Sequence, residues 1–375
     1  MNKLLEKRML ALLNRRKAQK AFRAVHNSAH LIDFCSNDYL SLARSSALQE
    51  IVKKQYTNQF LGATGSRLLS GHYTLLDTLE KKLAQFHQAE AALVFNSGYN
   101  ANLGIISAIP RKSDLILYDE LIHASIHDGI KLSVATSQSF AHNNLVELET
   151  LLANNPQKTV FVLVESIYSM DGDAAPLISI QELCQKYDAY LIVDEAHSTG
   201  VYGKNGAGLC VELGIESNVF ARIHTFGKAI GSHGGAVLGA SVLKDYLINY
   251  ARPLIYTTAL SPHTTQSILS AYQLLEKKGT VYIEELNERI AYFQEQIKHQ
   301  NKYAYIKSNS PIQCLLVPGN EAVTQLSALL QKEGYDVRPI RTPTVPSGKE
   351  RLRICLHRHN SLEEIKKLVQ LLKSL

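Results

Sequence analysis

The sequence contains 375 residues, of which 45% are hydrophobic, and its 40 basic against 34 acidic residues give a net charge of +6. This length provides for two or three domains with ordinary buried cores, and the basic residues form no long run that would follow a nucleic acid. The five cysteines are scattered without a CxxC pair, which favours neither a disulfide framework nor a zinc site. The charged N-terminal stretch does not resemble a signal peptide and no apolar run approaches the length of a membrane span, so we expect a cytoplasmic protein.

The N-terminal segment carries a helical pattern. Leucines recur among basic residues over residues 1 to about 24, which predicts a short amphipathic helix rather than a domain. We therefore divide the chain into an N-terminal arm (1–45), a large domain (46–260) and a small C-terminal domain (261–375).

A strand, a turn of small residues and a helix follow one another near residue 95. Ala91–Phe95 is an apolar run typical of a buried strand, and Asn96-Ser97-Gly98-Tyr99-Asn100 leads into a helix over residues 101–108. The N-terminus of a helix presents free N–H groups and a positive dipole, so this segment is a candidate anion site.

The next predicted strand, Asp114–Tyr118, is followed by two histidines, His123 and His127. Their spacing would suit a shared metal ion, but the glutamate that lies between the histidines of a zinc protease is missing. We predict no metal here, and we interpret His123 as a residue that stacks on a ring and His127 as structural.

Strands and helices then alternate as far as about residue 240. Thr159–Val164 predicts a strand, Pro176 opens a helix that runs through Tyr187, and Tyr190–Val193 is an uninterrupted apolar run that ends at Asp194. This alternation predicts a doubly wound α/β fold with a largely parallel sheet, in which Asp194 lies at the carboxyl edge where such sheets bind ligands.

A lysine among small residues follows the next strand. Ala221–Phe226 predicts the strand, and Lys228 comes directly after Gly227. A carboxylate and an amine at the ends of neighbouring strands suit pyridoxal 5'-phosphate, because its aldehyde takes the lysine as a Schiff base and its pyridinium nitrogen takes Asp194.

Two other classes of protein compete with this interpretation. Asp194-Glu195-Ala196-His197 is also the magnesium box of nucleic-acid-stimulated ATPases, which need a phosphate loop of the form GxxxxGK[ST]. The Gly227-Lys228 pair has Arg222 in place of the first glycine of that loop and Ala229 in place of its hydroxyl residue. A module that binds nucleic acid through the basic N-terminal arm is the other alternative, and it would contain no cofactor.

The regular alternation of predicted strands and helices ends at about residue 261. Two helical patterns, two short strands and a capped final helix predict a smaller α+β domain: Pro262–Lys277, Val281–Lys298, Gln313–Val317, Arg351–Leu356, and the helix that begins with the capping box Ser361-Leu362-Glu363-Glu364. This region also contains Arg341, ahead of a proline turn, and Arg353, and both are candidates for binding carboxylates.

Taken together, the motifs resemble those of the α-oxoamine synthases, which are pyridoxal phosphate enzymes of fold type I, the aspartate aminotransferase-like fold. The resemblance covers nearly the whole chain and rests on motifs in the family's order: Ser36-Asn37-Asp38-Tyr39-Leu40, Gly65-Ser66-Arg67, Ser70-Gly71, Ser97-Gly98-Tyr99-Asn100-Ala101-Asn102, Tyr168-Ser169-Met170-Asp171-Gly172-Asp173, Asp194-Glu195-Ala196-His197-Ser198 and Thr225-Phe226-Gly227-Lys228.

The resemblance implies roles for the residues around the cofactor ring. Lys228 would form the Schiff base and later act as the base that removes a proton, and Asp194 would bind the pyridinium nitrogen. His123 would stack on the ring, and His197 with Ser169 would lie near its phenolic oxygen.

The resemblance also implies a phosphate site and a homodimer. The backbone groups of Gly98 and Tyr99 would hold the phosphate together with Thr225, and Thr257 or Thr258 would reach it from the partner subunit. The active site would therefore lie at the subunit interface.

The substrates implied by the resemblance depend on the branch of the family. Ile340–Pro346 looks most like the branch that joins L-alanine to a pimeloyl thioester, carried by CoA or by an acyl carrier protein, to give 8-amino-7-oxononanoate for biotin synthesis. The implied substrate-binding residues are Arg23, Asn37, His123, Arg341, Thr344 and Arg353, of which Arg353 would take the amino acid carboxylate. Branches that pair glycine with acetyl-CoA or serine with palmitoyl-CoA stay open as alternatives.

The sequence departs from the family's pattern at three places. Ser41 stands where the family usually has glycine, Ala63-Thr64 where it prefers pairs of glycine or serine, and His357-Arg358-His359 where Ala-Ala-His is common. These departures leave the expected chemistry intact and bear on the substrate.

Overall fold

Short apolar runs in the middle of the chain form the strands of the main sheet, in a computed structural model that describes residues 3–25, 27–57, 60–298 and 302–375. The chain forms two units. The central unit consists of Asn37–Ser169 and Ala174–Glu285, and the terminal unit consists of Met1–Ser36, Met170–Asp173 and Leu286–Leu375. The division into 1–45, 46–260 and 261–375 stays a prediction.

The elements of the described residues have the following bounds. The helices are α1 (Lys3–Ala18), α2 (Ser46–Gln55), α3 (Thr74–Phe86), α4 (Gly98–Ala108), α5 (Ala124–Leu132), α6 (Leu145–Ala153), α7 (Leu177–Lys186), α8 (Leu209–Glu212), α9 (Ser241–Tyr250), α10 (Arg252–Ile255), α11 (Pro262–Ile297), α12 (Asn320–Lys332) and α13 (Leu362–Ser374). The strands are β1 (Ile32–Asp33), β2 (Ala91–Phe95), β3 (Leu115–Asp119), β4 (Thr136–Phe140), β5 (Val160–Glu165), β6 (Tyr190–Asp194), β7 (Ala221–Thr225), β8 (Gly235–Gly239), β9 (Ala304–Ile306), β10 (Ile312–Leu316), β11 (Tyr335–Asp336), β12 (Arg338–Ile340) and β13 (Arg351–Cys355).

The central unit contains a seven-stranded sheet in the order β2-β8-β7-β6-β5-β3-β4. The strands from β3 to β7 pair in parallel, whereas β8 is antiparallel to both of its neighbours. Successive residues of β6 enter different hydrophobic clusters, since Val193 packs in one and Ile192 in the other. The sheet is therefore covered on both faces, as its uninterrupted apolar runs indicate, and the predicted largely parallel α/β fold is confirmed.

The topology brings several polar segments to one edge of this sheet. Because β8 is antiparallel to both β2 and β7, strand β2 runs in the same direction as β3, β5, β6 and β7. The segments that follow these strands therefore all emerge at the carboxyl edge, where open α/β sheets bind ligands.

The terminal unit is built around a smaller antiparallel sheet. Its four strands have the order β12-β13-β10-β9, and β1 pairs separately with β11. Helix α13 begins with the predicted capping box at Ser361 and Glu364, and it buries one apolar face on this unit. Arg351 on β13 forms an ion pair with Asp171.

Three of the differences from the prediction concern α11, α4 and β4. The two helices predicted after residue 261 are one helix, α11, because Gly279 does not interrupt it; a Cβ at this position would lie 2.6 Å from the carbonyl oxygen of Asn205, so the glycine permits a close approach. Helix α4 begins at Gly98, three residues earlier than expected. Strand β4 was not predicted, since Thr136–Phe140 is mostly polar and lies at the sheet's edge.

The predicted N-terminal helix is present as α1, but none of its residues is buried. Its leucines therefore lie on the surface of the described chain. No helix among the described residues combines the length and the apolar character needed to cross a membrane.

Candidate functional site

Lys228 lies beside a buried histidine at the carboxyl edge of the central sheet. Its Nζ is 2.9 Å from His197 Nε2, and His197 Nδ1 is 2.8 Å from the hydroxyl of Tyr39. Since the Tyr39 hydroxyl donates to Asn37 Oδ1 at 3.0 Å, it accepts from His197, which assigns the imidazole proton to Nδ1 and makes Nε2 an acceptor for Lys228. The sequence-predicted residues Lys228, His197 and Asn37 are thus joined in one hydrogen-bonded row.

Asp194 ends β6 as a buried carboxylate with a fixed orientation. Its Oδ2 accepts a hydrogen bond from Asn102 Nδ2 at 2.8 Å, and its Oδ1 accepts one from the backbone N–H of Ala196 at 2.9 Å. The side chain is 5% exposed. A carboxylate held in this way is a strong partner for a cation placed beside it.

His123 caps the N-terminus of α5 with its own ring. Its Nδ1 accepts from the backbone N–H of Ser125 at 3.2 Å and lies 2.8 Å from the Ser125 hydroxyl, and the residue as a whole is exposed. Partial burial lowers the pKa of His123; the charge of Asp194 opposes this shift and the charge of Lys228 adds to it. The lowered pKa favours the neutral form of the ring.

Glu165 is a second buried carboxyl group beside Asp194, and the sequence analysis did not single it out. It ends β5 directly opposite Asp194 in the register of the two strands, and its Oε1 has no hydrogen-bond partner in the described part of the chain. Burial first, and then the charge of Asp194, raises the pKa of Glu165 well above 4.5, against the opposing effects of Lys228 and of a backbone hydrogen bond from His123. The raised pKa favours the protonated form of Glu165.

The N-terminus of α4 approaches β7 closely enough to form a cradle. A Cβ at Gly98 would lie 2.2 Å from Thr225 Cγ2, so a glycine is needed for this approach. Asn96 Nδ2 donates to Thr257 Oγ1 at 3.2 Å and to Thr258 O at 2.7 Å, which brings both threonines of the same chain beside this segment. The first N–H groups of the helix give the cradle an affinity for anions.

Two further residues of the predicted cofactor site, Tyr99 and Ser169, belong to the central unit as well. Tyr99 occupies the first turn of α4, and its ring meets that of His123 edge to face at 6.5 Å between centroids. Ser169 lies in the buried loop that follows β5.

The terminal unit brings together three of the residues predicted to bind substrate. Arg23 Nη2 donates to Thr344 Oγ1 at 3.3 Å, and Arg341 donates to the backbone oxygens of Lys20 and Phe22 at 2.7 and 3.3 Å. Partial burial and then the charge of Arg23 lower the pKa of Arg341, so the two guanidinium groups lie near each other. Arg353 is separate from them on β13, where it is buried and its Nη1 is 2.9 Å from Cys355 Sγ.

One group of residues in the terminal unit has the spacing of metal ligands. Asp33, His357 and His359 place one ligand atom each within 4.8 Å of one another. Asp33 already accepts from Ser36 and Cys35, and His357 bonds to Ser36 and Asn360, so internal hydrogen bonds account for this group. The expectation that the chain holds no metal stays a prediction.

Four residues of the site were not predicted from the sequence as site residues: Tyr39, Asn102, Ser125 and Glu165. Tyr39 and Asn102 lie inside quoted motifs, and Glu165 ends an apolar strand as Asp194 does, so a search of every strand end for carboxylates would have found it. Ser125 carries no sequence signal, because its position two residues after His123 gains meaning only from the capping of α5.

The chain matches the aminotransferase class I and II family over residues 29–372. A protein of Emericella nidulans named 8-amino-7-oxononanoate synthase is 42% identical over 364 residues, which cover 90% of this chain and 88% of the relative. A protein of the same name from Methylobacillus flagellatus is 36% identical and covers 99% of this chain and 94% of its own length.

Solved structures show the same relationship. The 8-amino-7-oxononanoate synthase of Francisella tularensis is 30% identical, with a TM-score of 0.79, over 92% of this chain and 97% of that one. The serine palmitoyltransferase of Sphingomonas wittichii is 26% identical, with a TM-score of 0.87, over 100% of this chain and 96% of that one. A further structure, SPT with PLP, reaches a TM-score of 0.89 at 25% identity over 99% of this chain and 98% of that one.

These relationships decide between the classes of protein left open by the sequence. They favour the pyridoxal phosphate enzyme over the ATPase and the nucleic-acid-binding module, because family members match this chain over nearly its whole length. The chain belongs to the aminotransferase class I and II family and, within it, to the α-oxoamine synthases, which are pyridoxal 5'-phosphate-dependent acyltransferases of fold type I.

Proposed function

We propose that the chain condenses L-alanine with a pimeloyl thioester, releasing carbon dioxide and the free thiol and forming 8-amino-7-oxononanoate for biotin synthesis. The observation that carries this proposal is the identity of 42% with an 8-amino-7-oxononanoate synthase across 90% of the chain. The arginine ahead of Pro343, in Ile340–Pro346, supports the same branch of the family.

The residues at the carboxyl edge of the central sheet fit pyridoxal phosphate. The cradle of Gly98, Tyr99 and Thr225, which a single Cβ at 98 would fill, suits the phosphate, and the buried Asp194 suits a protonated ring nitrogen. When bound, the cofactor supplies an electrophilic carbon for the substrate's amine and a ring that accepts electrons from its Cα. The open face of His123 suits stacking on that ring, and Ser169 and His197 suit its phenolic oxygen.

In this proposal Lys228 first holds the cofactor and then moves a proton. Lys228 would hold the cofactor through Nζ, and as a free amine the same Nζ would act as the general base that takes the proton from Cα of alanine. His197 orients Nζ through the 2.9 Å contact with its Nε2, and Tyr39 holds the tautomer that leaves Nε2 able to accept. The Cα then attacks the thioester carbonyl, the thiol leaves, and the β-keto acid loses carbon dioxide.

The arginines of the terminal unit suit the two carboxylates of the substrates. We assign Arg353 to the carboxylate of alanine, with Asn37 as a further substrate contact. Arg23 and Arg341 lie close together and donate to neutral oxygens, so a carboxylate between them would offset their mutual repulsion. The distal carboxylate of a pimeloyl group fits this pair, with Thr344 beside it.

The second candidate is the condensation of serine with a palmitoyl thioester, which the higher TM-score of the Sphingomonas wittichii enzyme favours. Sequence identity favours the first candidate, at 42% and 30% for two named 8-amino-7-oxononanoate synthases against 26% for that enzyme. Backbone similarity is shared across a family, whereas the side chains that choose a substrate follow sequence. We therefore place alanine and pimeloyl thioester first.

A panel of substrates tests this choice. Alanine, glycine and serine are each paired with pimeloyl-, acetyl-, succinyl- and palmitoyl-CoA, and the released thiol and the mass of the product are measured. We expect alanine with pimeloyl-CoA to exceed every other pair in kcat/KM by at least about 100-fold, the scale set by two or three kcal/mol of differential binding.

The Lys228→Ala protein, prepared in parallel, corrects the panel for spontaneous thioester hydrolysis. A pimeloyl-loaded acyl carrier protein, added as a further donor, decides between the two carriers. Preference for glycine with acetyl-CoA or for serine with palmitoyl-CoA would overturn the assignment of the substrates.

We further propose a homodimer whose active sites lie at the interface, with Thr257 or Thr258 reaching the phosphate bound by the partner. The support is a set of strongly exposed apolar side chains on segments that the Ala259 N–H to Gly65 O hydrogen bond holds together: Phe60, Leu61, Leu69 and Tyr256.

Sedimentation equilibrium should give twice the mass of the chain. Leu69→Asp should lower the dimer's stability, whereas Leu329→Asp, on an exposed site of the terminal unit, should not; a monomeric native protein would refute the proposal.

The proposal includes the cytoplasm as the site of action. No disulfide joins the five cysteines, which all lie in the described part of the chain, and this suits a reducing compartment: Cys35, Cys184, Cys210, Cys314 and Cys355. Recovery of the enzyme from an oxidising compartment of fractionated cells would contradict this.

A further inference from the structure

A run of hydrogen bonds connects the buried carboxylate Asp194 to His123 through two side chains that the proposed function does not use. Asn102 Nδ2 donates to Asp194 Oδ2 at 2.8 Å and to Ser125 Oγ at 3.0 Å, and Ser125 Oγ lies 2.8 Å from His123 Nδ1. Asn102 is 2% exposed and Ser125 is fully buried. Both side chains are therefore isolated from water and dedicated to this run.

The direction of every hydrogen bond in the run follows from its partners. Asp194 Oδ2 accepts only, so the amide nitrogen of Asn102, and not its oxygen, faces it. The Asn102 amide nitrogen also donates to Ser125 Oγ. His123 Nδ1 accepts from the Ser125 backbone N–H at 3.2 Å, so Nδ1 carries no proton of its own. The Ser125 hydroxyl therefore donates its proton to His123 Nδ1.

We infer that Ser125 and Asn102 are positioning residues that hold His123 as the neutral tautomer protonated on Nε2 and tie its state to the orientation of Asp194. A proton on Nδ1 would meet the backbone N–H of Ser125, which can only donate. An imidazolium would, in addition, lie at the positive N-terminal end of α5. The open edge of the ring then carries the Nε2–H donor.

This inference rests on the proposed function, in which His123 lies against the cofactor's ring. A ring whose nitrogen is kept protonated by Asp194 carries positive charge, and a stacked imidazolium would repel it. Asn102 thus orients Asp194, the carboxylate that favours a positive charge on the cofactor's ring. Through Ser125, Asn102 also favours the neutral form of His123, the side chain that would stack on that ring.

Charged and titratable groups approach His123 from several elements and act in different directions. Asp194 on β6 raises the pKa of His123, while Lys228 after β7 and His127 on α5 lower it. Glu165 on β5, held protonated, accepts the backbone N–H of His123, and the ring of Tyr99 on α4 meets the imidazole edge to face. The two donors at Nδ1 act on the ring directly, whereas these groups act through their fields.

The test is the protonation state of His123 in the full chain with its cofactor bound. The chain has 14 histidines, so ¹⁵N-histidine labelling with the His123→Gln variant identifies the signals of this ring. We expect an unprotonated Nδ1 and a protonated Nε2 in the native protein. In Ser125→Ala the loss of the hydroxyl should raise the pKa of His123, because the neutral ring loses a hydrogen bond that the hydroxyl donates to Nδ1, whereas for the protonated ring the hydroxyl would have to turn its proton away and accept from Nδ1 as well as from Asn102.

The pH profile of kcat/KM provides the second readout. In Ser125→Ala its acid limb should move to higher pH, so that kcat/KM falls about tenfold near pH 6 and less at alkaline pH, the scale of one lost hydrogen bond. Ser125→Thr keeps the hydroxyl and should restore both the pKa and the profile. Ser107→Ala removes a hydroxyl that donates to Leu103 O within α4, outside the run, and serves as the matched control.

Each outcome bears on the inference separately from the proposed function. A native His123 protonated on Nδ1, or a Ser125→Ala protein whose His123 titrates as in the native protein, would overturn the inference whatever the activity. If Ser125→Ala does not fold, the native tautomer and the Ser125→Thr protein still decide. The expected tautomer in a protein inactive with every substrate pair would leave the inference standing and refute the proposed function.

Discussion

Lys228→Ala is expected to lower turnover by at least about 10³-fold and to abolish the covalent attachment of the cofactor. Lys228 Nζ is the amine at the carboxyl edge that contacts His197 Nε2, and the proposed function uses it both to hold the cofactor and to remove the Cα proton. Loss of a general base alone costs about 10²- to 10⁴-fold. The measurements are kcat in the thiol-release assay and borohydride reduction followed by peptide mapping, which should place the cofactor on the peptide that contains Lys228.

A matched lysine separates the loss of this amine from a general effect of removing a positive charge. Lys186 lies exposed on α7 and pairs with Glu149 at 2.7 Å, so Lys186→Ala should retain the colour of the cofactor and the native kcat. Recovery of the borohydride label on a different lysine peptide would contradict the assignment of Lys228. Added methylamine should restore part of the proton transfer in Lys228→Ala, since it supplies the missing base.

The residues at the ends of strands were predictable from sequence because burial leaves a simple signal there. Tyr190–Val193 has no charged residue, which is typical of a strand covered on both faces, and the first charged residue after it is then expected at the edge of the sheet. The same argument applied to Lys228 after β7. A parallel sheet then brings these two residues to the same edge whatever lies between them in sequence.

The residues that the sequence did not reveal depend on register and on helix geometry. Glu165 faces Asp194 because β5 and β6 pair with these residues opposite each other, and no local pattern fixes that register. Asn102 reaches Asp194 because α4 begins at Gly98, which places residue 102 one turn into the helix with its side chain buried. The predicted helix start at residue 101 placed Asn102 in the first turn instead.

Two departures from the family's pattern acquire a physical explanation from the backbone. Ser41 and Thr64 both have positive φ, at 60° and 56°. These are left-handed conformations that glycine adopts readily and that a β-branched threonine rarely adopts, which accounts for the family's preference for glycine or small residues there. The resemblance to the family identified both positions as unusual, and the dihedral angles show that the backbone is strained at each of them.

Asp194→Asn is expected to retain the cofactor and to lower kcat by about 10² to 10³-fold, the cost of removing one pre-positioned electrostatic partner. The phosphate cradle and Lys228 are unchanged in this variant, so the protein should stay coloured. The neutral amide cannot hold a proton on the cofactor's nitrogen by charge, so the ring accepts electrons from Cα less readily. The rate of exchange of the alanine Cα proton for deuterium, measured by NMR without the acyl donor, isolates this step.

Glu165→Gln provides the contrast for Asp194→Asn, because both substitutions turn a buried carboxyl into an amide at the same level of neighbouring strands. Burial and the charge of Asp194 raise the pKa of Glu165 well above its ordinary value, which favours the uncharged acid, and an uncharged amide resembles that form. We therefore expect Glu165→Gln to lower the rate of Cα exchange less than tenfold, while Asp194→Asn lowers it far more. Equal losses in the two variants would show that both carboxyl groups are charged in the working enzyme, and a greater loss in Glu165→Gln would assign the partner of the ring nitrogen to the wrong strand.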